Sequence, residues 1–483
     1  MSVLSISRLL SAAAQRHPHE LAVTCGDDSV TFTEFENATN RLARAYQTLG
    51  VTPGSLVTIA LPNSVEFMAS AFAVWKLGAV PQPVSHRLPD RERQAIVELA
   101  NSVLVVGADP ASHPARRVIS AGFAPDPLLS DAQLDDCVSP TWKAPTSGGS
   151  TGRPKLILSG DPGEFDEDAS PTFGLAAGGG QCIVIPGPLY HNAPFAFSSR
   201  ALMQGHHLVL LERFDPESTL RAIHQYRPAA MLLVPTMMSR MYRLPQEVRD
   251  GYDLSSLEQV WHMAAPCPEW LKQAWINWVG ADHVYELYAG TEAQAVTIIR
   301  GDEWVEHRGS VGKVVSGQMK VLDPLTHEER SAGEEGEVFM RSMRATPTYQ
   351  YLGAEAHRID DGWESLGDMG WFDVDGYLFL GDRKGDMILS GGANIYPAET
   401  ESALLEHPGV VSCAVIGLPD EDLGKAVHAV VQTDAPVDVD ELRSFLSERL
   451  VRYKVPRTFE FVDFAVRDDA GKVRRSALRD ERS

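Results

Sequence analysis

The sequence predicts an α/β fold, with a large N-terminal domain of layered α/β subdomains plus a β-rich subdomain, followed by a small α+β C-terminal domain. Three observations predict it. Strand and helix patterns alternate through roughly the first 300 residues, short strands split by Gly and Asp follow from about residue 305, and the last hundred or so residues return to mixed strands and helices. The length of 483 residues also exceeds that of one typical domain.

The first clear element is an amphipathic helix over residues 33–50. Its apolar positions recur at alternating steps of three and four, at Phe35, Ala38, Leu42, Ala45 and Leu49. Thr33 and Glu36 have the spacing of a capping box, in which each side chain satisfies a free backbone N–H. Gly50 provides the left-handed residue that ends the helix.

A parallel α/β layer is predicted after this helix. Residues 56–61 are rich in β-branched side chains and predict a buried strand, and a second helix runs from an Asn63 cap to Gly78. The same alternation continues with strands at 183–186, 230–234, 261–265 and 284–288 and a helix at 216–225.

The later part of the chain divides in two. Short strands at 311–315, 320–322, 336–340 and 377–380 predict the β-rich subdomain. Strands at 387–389, 411–416, 427–431 and 459–462, with a helix at 440–450, predict the C-terminal domain. We therefore predict an N-terminal domain over residues 1–381, a hinge over 382–386 and a C-terminal domain over 387–483.

Charge and cysteine content exclude several classes of protein. With 65 acidic and 43 basic side chains, the formal net charge is −22, which argues against sequence-independent binding to nucleic acid or to an anionic membrane. Five scattered cysteines form no CxxC pair, so neither a disulfide framework nor a zinc site is indicated. No secretion signal or long apolar run is apparent, so we expect a cytoplasmic protein; a homodimer stays open.

Residues 146–155 form the strongest local signal. Three glycines allow backbone N–H groups to turn toward an anion, hydroxyl groups add donors, and Lys155 ends the run. This composition suits a phosphate, although a polar surface turn is the alternative. The glycine spacing is not that of a Walker A loop, and Pro154 argues against a helix through the lysine.

Other segments could complete a nucleotide site. Residues 285–292 end a predicted strand and offer an aromatic ring, a hydroxyl and a carboxylate, which suit a base, a phosphate and Mg²⁺. Asp368 and Arg383 could hold ribose hydroxyls, or they could simply belong to hairpin turns. Lys472 lies in a basic tail, for which a solvated charged surface is the alternative.

Five motifs resemble, in order, those of the AMP-forming adenylating enzymes: 146–155, 285–292, and the segments around Asp368, Arg383 and Lys472. This family comprises acyl-CoA synthetases, firefly-type luciferases and nonribosomal-peptide adenylation domains. The resemblance extends from about residue 8 to about residue 479. It implies that the small C-terminal domain is mobile, and that the substrates are a carboxylic acid, ATP with Mg²⁺, and coenzyme A. It also implies an acid–thiol ligase, with no nucleic-acid or membrane partner.

The resemblance assigns roles by position. Lys472, Thr291, Glu292 and His191 would be catalytic, with Glu292 as the Mg²⁺ ligand, and Gly385 would be the hinge residue. Coenzyme A would pass Gly391 and Gly392, and the acyl group would contact His191, Phe195, Val234 and Met263. ATP would bind to Ser147, Gly148, Gly149, Ser150, Thr151, Gly152, Lys155, Ala264, Ala265, Pro266, Tyr288, Ala289, Gly290, Thr291, Asp368 and Arg383.

The sequence departs from the usual pattern of the resembled family at four positions: Ala289, Leu366, Asp382 and Gly385. Residues 192–197 offer no acid to bind an amino group, which argues against an amino-acid adenylation domain. The phosphate loop is similar to that of bacterial ligases acting on bulky steroid- or terpenoid-like acids, which implies a polycyclic acid as substrate. The apolar and small side chains around 195–199, 234–236 and Met263 predict a roomy, uncharged cavity. Fatty or aryl acids, transfer to a carrier protein, and an inactive nucleotide-binding protein remain alternatives.

Overall fold

The computed structural model describes residues 3–147, 154–166, 175–176, 178–383, 385–468 and 471–482. The first third of the chain builds a helical layer beside two sheets. Its elements are β1 (Val3–Ser5), α1 (Ile6–Arg16), β2 (Leu21–Cys25), β3 (Asp28–Thr31), α2 (Phe32–Thr48), β4 (Leu56–Ile59), α3 (Val65–Lys76), β5 (Val80–Pro83), α4 (Asp90–Ala100), β6 (Leu104–Val106) and β7 (Arg117–Ile119).

The middle of the chain supplies most of the central sheet. Its elements are β8 (Thr146–Ser147), β9 (Lys155–Ser159), β10 (Glu164–Asp166), β11 (Cys182–Ile185), α5 (Asn192–Gln204), β12 (His207–Leu210), α6 (Pro216–Tyr226), β13 (Ala230–Leu233), α7 (Pro235–Tyr242), α8 (Gln246–Arg249), β14 (Gln259–His262), α9 (Glu269–Val279), β15 (Val284–Ala289), β16 (Val296–Arg300) and α10 (Gly301–Glu306).

The remaining elements are mainly strands until the C-terminal domain. They are β17 (Ser310–Ser316), β18 (Gln318–Leu322), β19 (Gly336–Arg341), β20 (Tyr349–Leu352), β21 (His357–Arg358), β22 (Glu364–Phe372), β23 (Leu378–Arg383), β24 (Ile388–Ser390), β25 (Ala393–Ile395), α11 (Pro397–Leu405), β26 (Val410–Asp420), β27 (Gly424–Thr433), α12 (Val439–Ser447), β28 (Thr458–Val462) and α13 (Arg475–Asp480).

One continuous sheet joins the two parts of the N-terminal domain. Strands β2, β12, β11, β13, β14 and β15 are parallel neighbours, and β16 then pairs antiparallel with β15 and leads to β17, β23, β22, β19 and β18. The predicted β-rich subdomain therefore extends the central sheet instead of forming a sheet of its own. A second parallel sheet has the order β5, β4, β6, β7.

Parallel strands place their carboxyl ends at one edge of the sheet, and this edge carries the predicted site. His191 follows β11, the segment 264–266 follows β14, and residues 290–292 follow β15. His262, the last residue of β14, is the register partner of Glu286 in the middle of β15, so β15 continues three residues beyond this pair. The fold class predicted from the sequence is confirmed.

The predicted capping of two helices is wrong. Helix α2 begins two residues earlier than expected, with Thr31 and Glu34 as the capping box. Glu36 is buried instead and accepts a hydrogen bond of 2.8 Å from Lys76 Nζ, which a solvent-facing cap could not do. Helix α3 has Ser64, not Asn63, as its N-cap. The sequence contains two overlapping Thr-x-x-Glu patterns, Thr31 with Glu34 and Thr33 with Glu36. Because Glu36 is buried, the first pattern forms the cap.

The C-terminal domain packs α11, α12 and α13 on the sheet of β26, β27 and β28. It touches the N-terminal domain through Arg243, whose guanidinium donates to the carbonyl oxygens at the end of α11 and beyond. Arg243 Nη2 lies 2.7 Å from the Leu405 oxygen, and Nη1 bonds the oxygen of Val410. Arg474 also lies 3.3 Å from Glu92. The predicted hinge 382–386 includes the connection between β23 and β24; its bounds stay a prediction.

Within the described ranges, no helix combines the length and the apolar character needed to cross a bilayer.

Candidate active site

The predicted phosphate loop connects two paired strands. Thr146 and Ser147 of β8 pair antiparallel with Leu156 and Lys155 of β9, so the loop begins and ends at adjacent backbone positions. The remaining predicted loop residues, and the side chain of Ser147, lie outside the described part of the chain: Gly148, Gly149, Ser150, Thr151 and Gly152. Lys155 is thereby placed at the mouth of this hairpin.

Lys155 and Glu292 come together although 137 positions of sequence separate their motifs. Lys155 Nζ lies 3.6 Å from Glu292 Oε1 and 4.2 Å from the centroid of the Tyr351 ring. The Tyr351 hydroxyl donates to the same Glu292 oxygen. Burial, and then the neighbouring Glu292 carboxylate, raise the pKa of Tyr351 far above its ordinary value. Glu292 thus offers carboxylate oxygens, the donor type that Mg²⁺ prefers, next to a cation suited to phosphate.

Tyr351 is a site residue that sequence reasoning missed. It lies on β20, which pairs antiparallel with β9, the strand that begins with Lys155; Tyr351 is the register partner of Ile157. No local motif surrounds it, and only the pairing of β20 with β9 brings its hydroxyl to Glu292.

Tyr288 and Asp368 form the predicted adenosine side of the site. The Tyr288 hydroxyl donates a 2.8 Å hydrogen bond to Asp368 Oδ2. Asp368 is the register partner of Arg383 on the neighbouring strand, although the Arg383 side chain is outside the described set. Strand β15 ends at Ala289, and the next residue, Gly290, has no room for a side chain. A Cβ on Gly290 would lie 2.4 Å from Leu366 Cδ1.

The segment after β14 is strained at Ala264. This residue has a φ of 74°, a conformation that costs free energy for any residue with a Cβ. Ala264, Ala265 and Pro266 are only partly buried or exposed, next to the strand end that carries Tyr288.

His191 is the N-cap residue of α5, with its ring against Tyr190 at a centroid distance of 4.4 Å. Its Nε2 is buried, with no hydrogen-bond partner among the described residues. Burial first, and then the positive charge of Lys472, lower the pKa of His191 to about 3. His191 is therefore neutral at physiological pH, and Lys472 from the C-terminal domain lies close enough for its charge to act on it.

The turn before Lys472 is seated against the N-terminal domain. A Cβ on Gly471 would lie 3.2 Å from Thr236 Oγ1 and 3.8 Å from Ala265 Cβ. Within the C-terminal domain, Arg467 Nη1 donates to the Gly471 carbonyl at 3.0 Å, and the Lys472 N–H donates to Asp468 Oδ1 at 2.8 Å. These bonds fix the loop that carries Lys472 at the edge of the predicted site.

Two groups of predicted residues are not brought to this site. Gly391 and Gly392 are exposed, and the Gly391 N–H bonds the Leu423 carbonyl inside the C-terminal domain at 2.9 Å. Gly385 is also exposed, and no atom of the described residues lies within 4 Å of a Cβ placed there. Gly391 and Gly392 have left-handed backbone conformations, and Gly385 lies in the predicted hinge, where a change of domain orientation could occur.

Two of the predicted acyl residues, Met263 and Phe195, pack in one core cluster, whereas Val234 packs in another, with Val260 and Val284. Met263 is buried with Trp261 and Tyr285, whose rings stack at 4.7 Å. Val234 is 9% exposed at the start of α7. Phe195 is fully buried against the rings of Phe67, Trp75 and Trp142, so in this structure it packs within the core.

Comparison with known proteins identifies the family. The sequence pattern described as AMP-binding enzyme matches residues 10–350, and that of the AMP-binding enzyme C-terminal domain matches residues 399–472. The chain belongs to the AMP-binding enzymes. The resemblance inferred from the motifs is therefore confirmed.

This AMP-binding enzyme has relatives along its whole length. A feruloyl-CoA synthase from an Amycolatopsis species is 32% identical, covering 96% of each protein. A methyl-dioxo-octahydroindenyl propanoyl:CoA ligase from Rhodococcus jostii is 29% identical, covering 98% of each. The structure of o-succinylbenzoate coenzyme A synthetase from Bacillus subtilis, in complex with ATP and magnesium ion, matches with a TM-score of 0.81 and 25% identity, covering 99% of this chain and 100% of that one. The predicted enzyme class, an AMP-forming acid–thiol ligase, is confirmed.

Proposed function

We propose that this enzyme joins a carboxylic acid to coenzyme A in two steps. In the first, a carboxylate oxygen attacks the α-phosphorus of ATP, which forms acyl-AMP and releases pyrophosphate. In the second, the thiol of coenzyme A attacks the acyl carbonyl, which forms the thioester and expels AMP, with the thiol proton lost to solvent. Direct thioester formation fails because oxide is a poor leaving group, so activation by ATP is needed.

The observation that carries the proposal is the seating of the Lys472 loop. Gly471 rests against Thr236 and Ala265, and Lys472 acts electrostatically on His191. The loop that carries Lys472 thus lies beside Thr236 and Ala265, and from there Lys472 would reach the carboxylate and the α-phosphate. Lys472 would stabilise the charge that develops on their oxygens during attack.

The other residues then have separate tasks. Lys155 would neutralise the leaving pyrophosphate, and Glu292 would hold Mg²⁺, which supplies further positive charge to the phosphates when bound. Tyr288 would stack on the adenine, while Asp368 and Arg383 would accept and donate hydrogen bonds to the ribose hydroxyls. Neutral His191 would line the entrance to the acyl group without competing for its charge.

The second step would require a different orientation of the C-terminal domain. Gly391 and Gly392 lie away from the site while Lys472 is seated. A rotation within 382–386, centred on exposed Gly385, would withdraw Lys472 and bring the 391–392 loop to the pantetheine arm of coenzyme A. One cavity would then serve two transition states in turn.

For the acid, we propose a bulky substrate with a polycyclic, terpenoid- or steroid-like apolar body. The apolar face formed by Met263, Trp261 and Tyr285 supports a ring system, and the bicyclic acid in the name of the Rhodococcus jostii relative is of this kind. Fatty acids and aryl acids are the alternative acid substrates, and a carrier-protein thiol is the alternative acceptor in the second step. An inactive nucleotide-binding protein is the alternative function from a different class.

A panel of carboxylic acids tests the function. The full-length enzyme, with ATP, Mg²⁺ and coenzyme A, should release pyrophosphate and AMP and form acyl-CoA only when a suitable acid is present. Polycyclic acids should give the highest kcat/KM. If no acid of any class causes pyrophosphate release, the proposal is wrong.

A further inference from the structure

Two basic residues, Lys143 beside α5 and Arg200 on α5, lie outside every motif described above. Lys143 is only 8% exposed, and its Nζ donates to Asn192 Oδ1 and lies 4.4 Å from the centroid of the Trp142 ring. An ammonium group has three donors, and among the described residues Asn192 is the hydrogen-bond acceptor found for it. Lys143 therefore carries donors for which the described part of the chain supplies no further acceptor.

Arg200 is even less well satisfied. Its guanidinium stacks on Phe165 at 5.2 Å and on Trp142 at 6.0 Å, and its Nε is buried with no hydrogen-bond partner among the described residues. Within the described ranges, no carboxylate lies within ion-pair distance of Arg200. An arginine packed on rings, whose buried Nε faces no acceptor among the described residues, is ready to bind one.

The local charge is out of balance. Asp161 is the carboxylate whose charge acts on both Lys143 and Arg200, but its Oδ1 already pairs with Arg344. Burial, and then the charge of Arg200, lower the pKa of Lys143 to about 7. Buried cations without counter-ions are costly, so an anion entering here would be strongly favoured.

The position connects these cations to the acyl site. Asn192, which holds Lys143, is the first residue of α5 and follows His191, the residue on which Lys472 acts. Arg200 lies two turns further along the same helix. If the acyl group extends from His191 along α5, it would meet these two cations.

We propose that Lys143 and Arg200 bind a second carboxylate of the acid substrate. The natural substrate is then a dicarboxylic acid with an apolar body, and the interior of the acyl site is cationic, not uncharged as the sequence suggested. The second carboxylate would accept hydrogen bonds from the Lys143 ammonium and the Arg200 guanidinium, while the first reacts with ATP. This inference rests on the proposed acyl-CoA synthetase function and names its substrate class.

Matched pairs of acids test it, each pair differing in one methyl replaced by a carboxylate: pentanoic and glutaric, octanoic and suberic, and 2-methylbenzoic and phthalic acid. In at least one pair, the wild-type enzyme should favour the dicarboxylate in kcat/KM by about tenfold or more, the strength of a hydrogen bond between charged groups. Lys143→Met and Arg200→Met should each abolish or reverse this preference while the KM for ATP is unchanged.

Arg221→Met is the control, because it removes an exposed cation on α6 that pairs with Glu217, away from this cluster, and it should keep the preference. A merely structural role for Lys143 and Arg200 would lower the rates with both members of a pair in parallel, and that result would overturn the inference. So would a wild-type enzyme without preference, even if it activates monoacids, in which case the proposed function stands. Absence of pyrophosphate release with every acid of these pairs and of the wider panel, polycyclic acids included, would overturn both.

Discussion

Gly471 rests against Thr236, with 3.2 Å between the Thr236 Oγ1 and the place of a Cβ on the glycine. The contact joins the C-terminal domain to the first turn of α7, and it fixes where the next residue, Lys472, enters the site. Because Gly471 has a φ of 74°, both its backbone and its missing side chain are needed for this approach. The two domains are thus fitted together at the point where adenylate formation would occur.

Gly471→Ala should slow adenylate formation, measured as acid-dependent exchange between ATP and pyrophosphate, by about 10- to 100-fold, because it displaces Lys472. Thioester formation from presynthesised acyl-adenylate should be spared. Gly424→Ala is the matched control: Gly424 has a φ of 73° in the same domain, but no atom of the described part of the chain lies within 4 Å of its Cβ position. Equal losses in the two variants would show that the backbone, and not the contact, matters.

Arg243→Met should reduce adenylate formation by about tenfold, since it removes hydrogen bonds to the carbonyl oxygens of Leu405 and Val410 that hold the domains in this orientation. The thioester step should be unchanged or faster. Arg227→Met, which removes an ion pair of 2.6 Å with Asp253 inside the N-terminal domain, should leave both steps unchanged. A parallel loss of both steps in Arg243→Met would argue against this role.

Glu401 should make the C-terminal domain sensitive to acid. Burial alone would raise the pKa of Glu401, but the charges of Arg467 and Arg475 outweigh it and lower the pKa. The stability that the carboxylate provides is therefore complete above the unfolded-state pKa of about 4.3, and it is lost as the pH falls through the lower folded-state value.

Calorimetry of the wild-type enzyme between pH 7 and 3 should show this loss, and Glu401→Gln should be less stable at pH 7 with a flatter dependence on pH. Because Arg467 also donates to the Gly471 carbonyl, the variant should lose adenylate formation as well. An identical acid dependence in both proteins would contradict the assignment.

Tyr288→Phe keeps the ring and removes the hydroxyl that donates to Asp368. The KM for ATP should rise by about threefold to tenfold, because Asp368 is no longer held toward the ribose, while kcat changes little. Tyr252→Phe is the control, because it removes a similar 2.9 Å bond to the Glu217 carboxylate away from the site. A fall in kcat at constant KM would assign Tyr288 to chemistry instead of binding.

The sequence predicts much of the site because the motifs are local. Lys155, Tyr288 and Glu292 each lie in a short run whose glycines and hydroxyls reveal the chemistry, and the structure brings all three to one edge of the sheet. The strand and helix pattern likewise predicts most elements to within a few residues, since periodicity needs only neighbouring positions.

What sequence reasoning misses depends on distant partners. Tyr351 meets Glu292 across 59 positions, Arg243 meets Leu405 across 162, and Lys143 meets Asn192 across 49. No local pattern records such pairs. The start of α2 was mispredicted for the same reason, because the buried partner of Glu36 is Lys76, 40 positions away.

The most direct test of the two-step account is Lys472→Ala, assayed separately in each half-reaction beside Lys320→Ala as a control. We predict that exchange between ATP and pyrophosphate falls by about 100-fold or more, while coenzyme A still forms thioester from presynthesised acyl-adenylate at the wild-type rate. Undiminished exchange in Lys472→Ala, or an equal loss in both half-reactions, would contradict the account.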